Sequence, residues 1–511
     1  MIPRPSGSGT KNEARTLPMS KSMRSFDPRG PLVFLFFMAV VFSGCRTLEI
    51  PEKSSGMWTP PAWYGRSTKP ETVLSAAQGT KPSADRPMKL MELIDLSLQN
   101  NPSTKQAWQQ ARVAQAKLGS AKSAWYPTVT VEQDFDVQDT VSNRTLNRVN
   151  SGDIGMQLKM SYMLMDFGGR RAQVEQAFQT FLASNFQFNQ TFQNLLLNVA
   201  TAYFNYFSAV ALLEAAHMDV KDAETAMNTT KEKFAAGIQA KVDVLQATAS
   251  YQKTLYSLES AKGSLKTAEG EIAKALGFPA GTPLNILLPQ KDVEFKIGTK
   301  EVGQLIEEGL AKRPDLASER AILAAKVAAI KAARSNLWPT VNAQATGSND
   351  WYKYFGRYSL NYDTQHDYGY GAGVNVNWPI FEGLDTVSKI KAAEADAKAE
   401  FESLRQKELN ATTDVWDAYY NFVTATKKLE ASKAYLDASQ GSYDLSMDGY
   451  KSGLKSILDV LNAESDLSDA RSQVIKSKKE LYTSFAQVAY ATGTINERTD
   501  AARAEMGAVE L

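Results

Sequence analysis

The stretch Gly449–Ala463, which reads GYKSGLKSILDVLNA, has a related copy earlier in this chain of 511 residues. The copy is Lys233–Ala247, KFAAGIQAKVDVLQA, and the two align without a gap. A single Gly-x5-Asp-Val-Leu pattern is a weak signal, but two copies at a constant offset within a longer self-similarity indicate a duplicated unit. We interpret each copy as the turn at the tip of a helical hairpin.

The segments that flank both tips predict very long helices. Ala172–Ala236 contains no glycine and no proline, and at 1.5 Å per residue it would span about 100 Å. Helices of this length need lateral partners along most of their course. The corresponding segments are Leu384–Tyr450 and the returning limbs Lys241–Leu276 and Lys455–Thr492.

Each repeat begins with a pair of shorter helices. Glu92–Pro102 reads ELIDLSLQNNP, and Gln304–Pro314 reads QLIEEGLAKRP. A proline is favoured at the first position of a helix, and Asn101 is a good N-cap residue for the helix that starts at Pro102. Pro127 and Pro339 are expected to end these helices.

After each of these prolines the hydrophobic period changes from helical to two. The pattern predicts four strands in two hairpins, at about 127–165 and 339–381, with loops at about 140–151 and 349–367. Tyr368 and Trp378 lie at opposite ends of one strand, as in the aromatic girdle of a membrane barrel. The alternative is two hairpins of a soluble sheet packed on helices. Four strands cannot close a barrel, so a membrane barrel would be shared between subunits.

Bulk composition limits the possible functions. A net charge of +1 excludes a strongly basic nucleic-acid coat. One cysteine excludes an intrachain disulfide framework, and with only two histidines it argues against a zinc site. The chain contains no phosphate-binding loop, no nucleophile elbow and no zinc-protease motif. We therefore predict no enzymatic activity, no cofactor, no metal and no nucleic-acid partner.

The N-terminal region resembles a lipoprotein signal. The apolar run Leu32–Phe42 is too short to span a membrane but suits the core of a signal peptide. It is followed by Ser43, Gly44 and Cys45, which resembles a bacterial lipoprotein box and predicts lipidation of Cys45. The alternative is a single buried cysteine after an apolar segment. Translation would begin at Met1, Met19 or Met23.

The predicted domain organisation follows the duplication. The segments are a signal peptide (1–44), an extended leader (45–88), a first repeat (89–277, tip about 237–241), a linker (278–300), a second repeat (301–493, tip about 451–455) and a tail (494–511).

Together these features resemble the TolC-like outer-membrane efflux factor family over about residues 89–493. The motifs that carry the resemblance are the duplication, Asn101-Pro102, Arg313-Pro314, Tyr126-Pro127, Trp338-Pro339, the strand exits Met165–Arg170 and Phe381–Gly383, and the two tips. The resemblance implies a mainly α protein with a transmembrane β part. Tandem-duplicated helical hairpins would form an α-barrel, and each chain of a homotrimer would add four strands to one 12-stranded outer-membrane barrel.

The resemblance also implies a location and partners. The expected location is the outer membrane of a Gram-negative-type bacterium, with a lipid anchor and a helical part that extends into the periplasm. The expected partners are outer-membrane lipid, a periplasmic adaptor protein and an inner-membrane pump of the RND or ABC type.

By matching positions, the family's periplasmic gate falls on one residue of the first tip and four of the second. These residues are Asp243, Tyr450, Lys455, Asp459 and Asn462. Tyr450 would bond to Asp243, Lys455 would pair with a neighbouring tip, and three Asp459 carboxylates would form a negative ring. The family often has a second acidic residue where this chain has Asn462, so weaker cation binding is expected. The alternative is that Asp243 and Asp459 only cap the returning helices.

The same resemblance places the adaptor contact on Gly237, Ile238, Gly453 and Leu454, where an aliphatic side chain follows a turn glycine. The alternative is a plain turn with a buried anchor. The expected function is an outer-membrane exit duct for small-molecule drug efflux. The alternatives are the outer-membrane component of type I protein secretion and, in a different class, a coiled-coil envelope lipoprotein without a pore.

Overall fold

The computed structural model describes residues 86–142, 147–288, 301–355 and 365–495. The predicted signal peptide, Cys45 and nearly all of the predicted leader lie outside these residues. Residues 289–300 of the predicted linker and the tail beyond residue 495 lie outside them as well.

Eight helices lie within the described ranges, and they form two sets of four. In chain order, both sets contain helices of 11, 22, 67 and 35 residues, which confirms the structural duplication. The first set is α1 Leu90–Asn100, α2 Pro102–Ser123, α3 Gly169–Ala235 and α4 Lys241–Ala275. The second set is α5 Val302–Lys312, α6 Pro314–Ser335, α7 Asp385–Lys451 and α8 Ile457–Ala491.

The helix starts follow the local sequence. Pro102 and Pro314 occupy the first positions of α2 and α6. The side chain of Asn101 caps α2 by accepting a hydrogen bond from the backbone N–H of Ser103 at 2.9 Å. These contacts satisfy or remove backbone donors that a helix start leaves without partners.

The four strands form one antiparallel sheet in the order β1-β2-β3-β4. Their bounds are β1 Thr128–Ser142, β2 Asn147–Met165, β3 Thr340–Phe355 and β4 Gln365–Asn377. The predicted loops were too long, because Asn147–Ser151 and Asn349–Phe355 belong to β2 and β3. Backbone pairing needs no apolar side chains. The ladder therefore continues where the hydrophobic alternation in the sequence has already ended.

The strand register collects the apolar residues on one face of the sheet. One row across the four strands is Val129, Met160, Ala345 and Ala372, and the next is Val131, Leu158, Gly347 and Tyr370. The intervening row on the opposite face is Thr130, Lys159, Thr346 and Gly371. None of the described elements covers the apolar face, since Val131 is 59%, Tyr370 93% and Val374 65% exposed.

A buried arginine fixes the junction between the sheet and α3. The guanidinium of Arg170 donates to the carbonyl oxygens of Met163 at 2.7 Å and Leu164 at 3.3 Å, and it lies over the ring of Trp125. The carboxylate of Asp166 accepts from the backbone N–H of Arg170. These contacts satisfy carbonyl groups where the strand ladder ends and the helix begins.

The helices bury two hydrophobic clusters. The larger one lies where the short helices meet the long ones and includes Leu93, Leu276, Leu305 and Val488. The second lies near the tips and joins α3 and α4 to α7 and α8. Its most buried members are Ala226, Ala247, Tyr450, Ile457, Val460 and Leu467.

Among the helices in the described part, one contains a stretch apolar enough to cross a membrane by length and composition. This helix is α3, and half of that stretch is buried inside the protein. A packed core helix has the same property, so α3 gives little support for a membrane-spanning helix.

Candidate functional site: the tips of the two helical hairpins

Both tips are glycine turns of the same type. Gly237 has φ +74° and Gly453 has φ +79°. The N–H of Ile238 bonds to the carbonyl of Lys233 at 2.9 Å, and the N–H of Leu454 bonds to the carbonyl of Gly449 at 2.7 Å. This is the Schellman pattern, in which a left-handed residue ends the helix and its orphan carbonyls are satisfied. The match between Gly237 and Gly453 therefore reflects the same backbone requirement in both repeats.

Asp459 caps α8, the returning helix of the second tip. Its carboxylate accepts hydrogen bonds from the backbone N–H of Ser456 at 2.9 Å and from the Ser456 hydroxyl at 2.7 Å. The Ser456 hydroxyl in turn lies 3.3 Å from the backbone N–H of Asp459. These bonds to Ser456, with a smaller contribution from Lys455, hold the pKa of Asp459 below its ordinary value. The capping role is confirmed for Asp459.

Asp243 holds the equivalent position in α4 but is capped differently. Its carboxylate accepts from the backbone N–H of Ala240 at 3.3 Å and from the side-chain amide of Gln239 at 2.6 Å. Ala240 has no side-chain acceptor, so the first tip has only one half of the reciprocal cap that Ser456 completes in the second.

Tyr450 links the two hairpins, but not through Asp243. The side chain is 1% exposed, and its hydroxyl donates to the hydroxyl of Thr230 on α3 at 3.0 Å. Burial, with the nearby charge of Asp243 as a smaller effect, raises the pKa of Tyr450. The expected hydrogen bond between Tyr450 and Asp243 is absent in this chain. The Tyr450 hydroxyl donates to Thr230 on α3 instead, and the carboxylate of Asp243 accepts a hydrogen bond from Gln239.

Lys233 of the first tip reinforces the contact with Tyr450. Its ammonium nitrogen lies 4.1 Å from the centroid of the Tyr450 ring and donates to the Tyr450 carbonyl oxygen. That carbonyl is at the C-terminus of α7, where the helix dipole favours a cation. Lys233 therefore binds both the ring and the helix end of the second tip.

Lys455 folds back on its own hairpin. Its ammonium donates to the hydroxyl of Ser446 at 3.1 Å, and its aliphatic carbons pack over Gly449. Asn462 is exposed on α8, one turn beyond Asp459, which is exposed as well. The single chain thus places the second-tip residues together and leaves Asp459 and Asn462 accessible. The pairing of Lys455 with another subunit's tip stays a prediction.

The proposed adaptor residues lie on the outside of the turns. Ile238 is 74% exposed and Leu454 is 85% exposed. The alternative of a turn with a buried anchor is wrong at both positions. Further apolar side chains are exposed close by in sequence, namely Val242, Leu245 and Leu458.

Several polar residues of this site gave no recognisable signal in the sequence. Thr230 and Lys233 lie on the first hairpin and contact a tyrosine of the second, far away in sequence. Ser456 was detectable in principle, because Ser-x-x-Asp before an apolar run is a capping-box pattern. In the described ranges, no group of three His, Cys, Asp or Glu side chains is placed to hold one metal ion.

Comparison with known proteins agrees with this architecture. The model of the outer membrane efflux protein family matches residues 93–278 and 305–494, which correspond to the two repeats. The chain belongs to this family. It is an outer-membrane protein of the TolC-like efflux-channel type, built from long helices and one four-stranded antiparallel sheet.

Individual members of the outer membrane efflux protein family are distant relatives in sequence. The protein CyaE of Bordetella pertussis is 26% identical over 449 residues, which is 87% of this chain and 91% of CyaE. The outer membrane protein TolC of Escherichia coli is 25% identical over 422 residues, covering 80% of this chain and 83% of TolC. The crystal structure of the Campylobacter jejuni outer membrane channel CmeC has 20% identity and a TM-score of 0.70, and the match covers 88% of this chain and 94% of CmeC. The structural likeness concerns the fold alone.

Proposed function

We propose that the chain forms a homotrimeric exit duct through the outer membrane. The observation that carries this proposal is the incomplete sheet, which has an uncovered apolar face and two edge strands. In the described residues, β1 and β4 pair only with β2 and β3. Exposed edges of this kind invite pairing with another chain, and lipid requires a closed barrel. Pairing of β4 with β1 of the next copy closes a ring of twelve strands in a trimer.

The helical hairpins extend this ring as a tunnel, and their tips gate it. Two observations support the gate. Within the chain, Thr230 and Lys233 hold Tyr450 of the second tip. Asp459 and Asn462 remain exposed, so three copies of each can line a constriction in the trimer. These contacts are few, and a buried hydrogen bond contributes only about 1 kcal/mol, so a partner that prefers the open state can release the gate.

Exposed aliphatic residues at both tips are the proposed contact for a periplasmic adaptor. Ile238 and Leu454 stand on equivalent glycine turns, so one adaptor surface can fit either tip. The adaptor connects the duct to an inner-membrane pump of the RND or ABC type. The proposed anchor is a lipid on Cys45, which places the leader at the inner surface of the outer membrane.

Small-molecule efflux is the proposed transport function, and the description of the matched family as efflux proteins supports it. Type I protein secretion is the second candidate, because a duct of this kind leaves the choice of cargo to the pump. A coiled-coil lipoprotein without a pore is disfavoured, because it does not need a sheet with one apolar face.

The duct is tested with purified full-length protein in planar bilayers. A stable, detergent-dependent trimer that conducts ions is expected, whereas a soluble monomer or a non-conducting trimer contradicts the proposal. Tyr450→Phe combined with Lys455→Ala removes the hydroxyl bond to Thr230 and the ammonium bond to Ser446. We expect higher single-channel conductance for this variant. Tyr256→Phe, at a tyrosine that is 78% exposed, is the matched control and should leave conductance unchanged.

A further inference from the structure

One buried carboxyl group lies where the two hairpins meet. Glu464 on α8 is 4% exposed. One carboxyl oxygen, Oε1, accepts a hydrogen bond from the hydroxyl of Ser250 on α4 at 3.3 Å. The other, Oε2, is buried and has no hydrogen-bond partner among the described residues. A buried carboxylate oxygen without a partner is costly, so this position favours the neutral acid.

The neighbouring charges strengthen this preference. Asp219 and Asp222 of α3 lie near Glu464, and Arg471 of α8 is already bound to both, at 2.7 Å and 2.9 Å. The hydroxyl of Ser468 also donates to Asp219, at 2.6 Å. Arg471 therefore binds the two aspartates rather than Glu464. The charged and titratable groups around Glu464 are Asp219 and Asp222 from α3, Lys253 from α4, Tyr443 from α7 and Arg471 from α8.

The titration of Glu464 is consistent with this geometry. Burial is the main cause that raises its pKa to about 7, and the charges of Asp222 and Asp219 add to it. The hydrogen bond from Ser250 and the charge of Lys253 act in the opposite direction. The carboxyl therefore changes its charge close to neutral pH.

We propose that Glu464 is a proton-binding site that locks the first hairpin, α3 and α4, to the second, α7 and α8. This inference rests on the proposed gate and adds a ligand, the proton, to it. When the hairpins separate, water reaches Glu464 and its pKa returns toward 4.5, the ordinary value. The joined state therefore binds the proton more tightly than the separated state.

The sign of the pH dependence follows from these two pKa values. The pKa is raised in the joined state, so the stabilisation of that state is complete below pH 4.5 and is lost as the pH rises through about 7. The largest change in the ratio of joined to separated tips is roughly 300-fold over this range. Acidification holds the tips together, and neutral or alkaline conditions favour release.

The test compares wild type, Glu464→Gln and Asp466→Asn in planar bilayers with the pH of the tip-side solution varied. Glutamine keeps the shape of the neutral acid and cannot ionise. We expect wild-type conductance to rise through about pH 7, and Glu464→Gln to stay at the low level throughout. Asp466 is exposed on the same helix, so Asp466→Asn is the control and should keep the pH dependence.

Two further measurements do not depend on conduction. Infrared spectra of the full-length protein should contain a carboxylic-acid band that disappears near pH 7 and is missing in Glu464→Gln. Amide exchange at both tips, corrected for intrinsic rates, should be faster above pH 7 than below it in wild type and equal in the variant. Asp222→Asn should move the midpoint to lower pH, which a purely structural role of Glu464 does not explain.

The outcomes separate the two proposals. If Glu464→Gln retains the wild-type pH dependence, or if the acid band titrates near pH 4.5, the proton site is overturned. If no preparation conducts but band and exchange behave as expected, the proton site stands and the duct is refuted. If the acid band disappears near pH 7 but amide exchange and conductance do not change with it, the proposed coupling between the hairpins is wrong.

Discussion

The hydroxyl of Tyr450 and the hydroxyl of Thr230 form the most deeply buried polar contact between the two tips. Both side chains are inaccessible to solvent, since Tyr450 is 1% and Thr230 0% exposed. Water therefore cannot replace the bond while the tips stay together. A contact of this kind contributes more to holding two hairpins in one arrangement than the exposed charges nearby.

Thr230→Val should weaken the closed arrangement of the tips. Valine has nearly the same shape, but it leaves the buried Tyr450 hydroxyl without its acceptor, at a cost of about 1–3 kcal/mol. We expect a higher open fraction in single-channel recordings. Thr225→Val is the control, because Thr225 is exposed and bonds only to a carbonyl of its own helix. Equal open fractions in both variants would show that the hydroxyl contact does not hold the tips.

Asn462→Asp should strengthen cation binding at the tips. Asn462 is exposed one helical turn from Asp459, so an aspartate there adds a second ring of negative charge in a trimer. Block of the channel by divalent cations on the tip side should occur at lower concentration. Asp459→Asn should change the block in the opposite direction. The idea of an axial ring fails if neither variant changes it.

The sequence predicts the hydrogen-bond partners of some residues at the tips and not of others. The cap formed by Asp459 was predictable, because its partner Ser456 is three residues away and the spacing is that of a helix start. The partner of Tyr450 was not, because Thr230 lies on another helix and many tip residues have hydroxyl groups. Long-range polar pairs depend on how two helices are rotated against each other. Hydrophobic periodicity defines that rotation only coarsely.

At the scale of elements, two glycines allow the ends of the long hairpins to pack closely against the short helices. Gly277 follows α4 with φ +85°, and Gly493 follows α8 with φ +71°. A Cβ atom at Gly277 would lie 2.9 Å from the carbonyl carbon of Asn100, and one at Gly493 would lie 2.9 Å from that of Lys312. Each hairpin therefore ends against the C-terminus of the short helix that opens its own repeat.

Gly277→Ala should destabilise the protein much more than Gly237→Ala. Both positions have a left-handed backbone, which costs alanine about 1–2 kcal/mol. Gly237 has open space around the missing side chain, whereas Gly277 has backbone atoms of the neighbouring helix at contact distance. Thermal unfolding of the full-length variants measures the difference. Equal losses would mean that the close approach at Gly277 has no energetic consequence.

Helices were easier to predict than strands. The long helices lack proline and end at glycines, so their limits can be recognised from residue type, and both copies agree. The strands continue beyond their apolar parts. β2 starts at Asn147, where most side chains are polar, and β3 runs to Phe355 through consecutive aromatic residues, so neither segment has a period of two. Pairing between β2 and β3 is long-range and involves the two repeats, which no local pattern reveals.

At the scale of the whole molecule, the apolar face of the sheet is the surface that the proposed barrel presents to lipid. The four strands come from both repeats, and β2 of the first pairs with β3 of the second. Each repeat supplies two adjacent strands of the sheet, and the order β1-β2-β3-β4 requires both repeats. The two hairpins, one from each repeat, form one sheet within a single chain.

Leu158→Lys should impair insertion and assembly, whereas Gln157→Lys should not. The two residues are adjacent in β2 and belong to opposite faces, with Leu158 in the apolar row of Val131 and Gly347. A lysine facing the middle of a bilayer costs about 2–4 kcal/mol for each copy. The amount of trimer in outer-membrane fractions is the measurement. Equal yields of both variants would contradict the assignment of the lipid-facing side.

The length of the strands has a consequence for the outer surface of the cell. β2 has 19 residues and β3 has 16, which at roughly 3.3 Å each is about 60 and 50 Å. Even when tilted by about 40°, such strands are much taller than an apolar band of about 25 Å. In the proposed duct their far ends rise above the lipid as a rigid collar. Antibodies and other large extracellular molecules would meet this collar on living bacteria without having to penetrate the envelope.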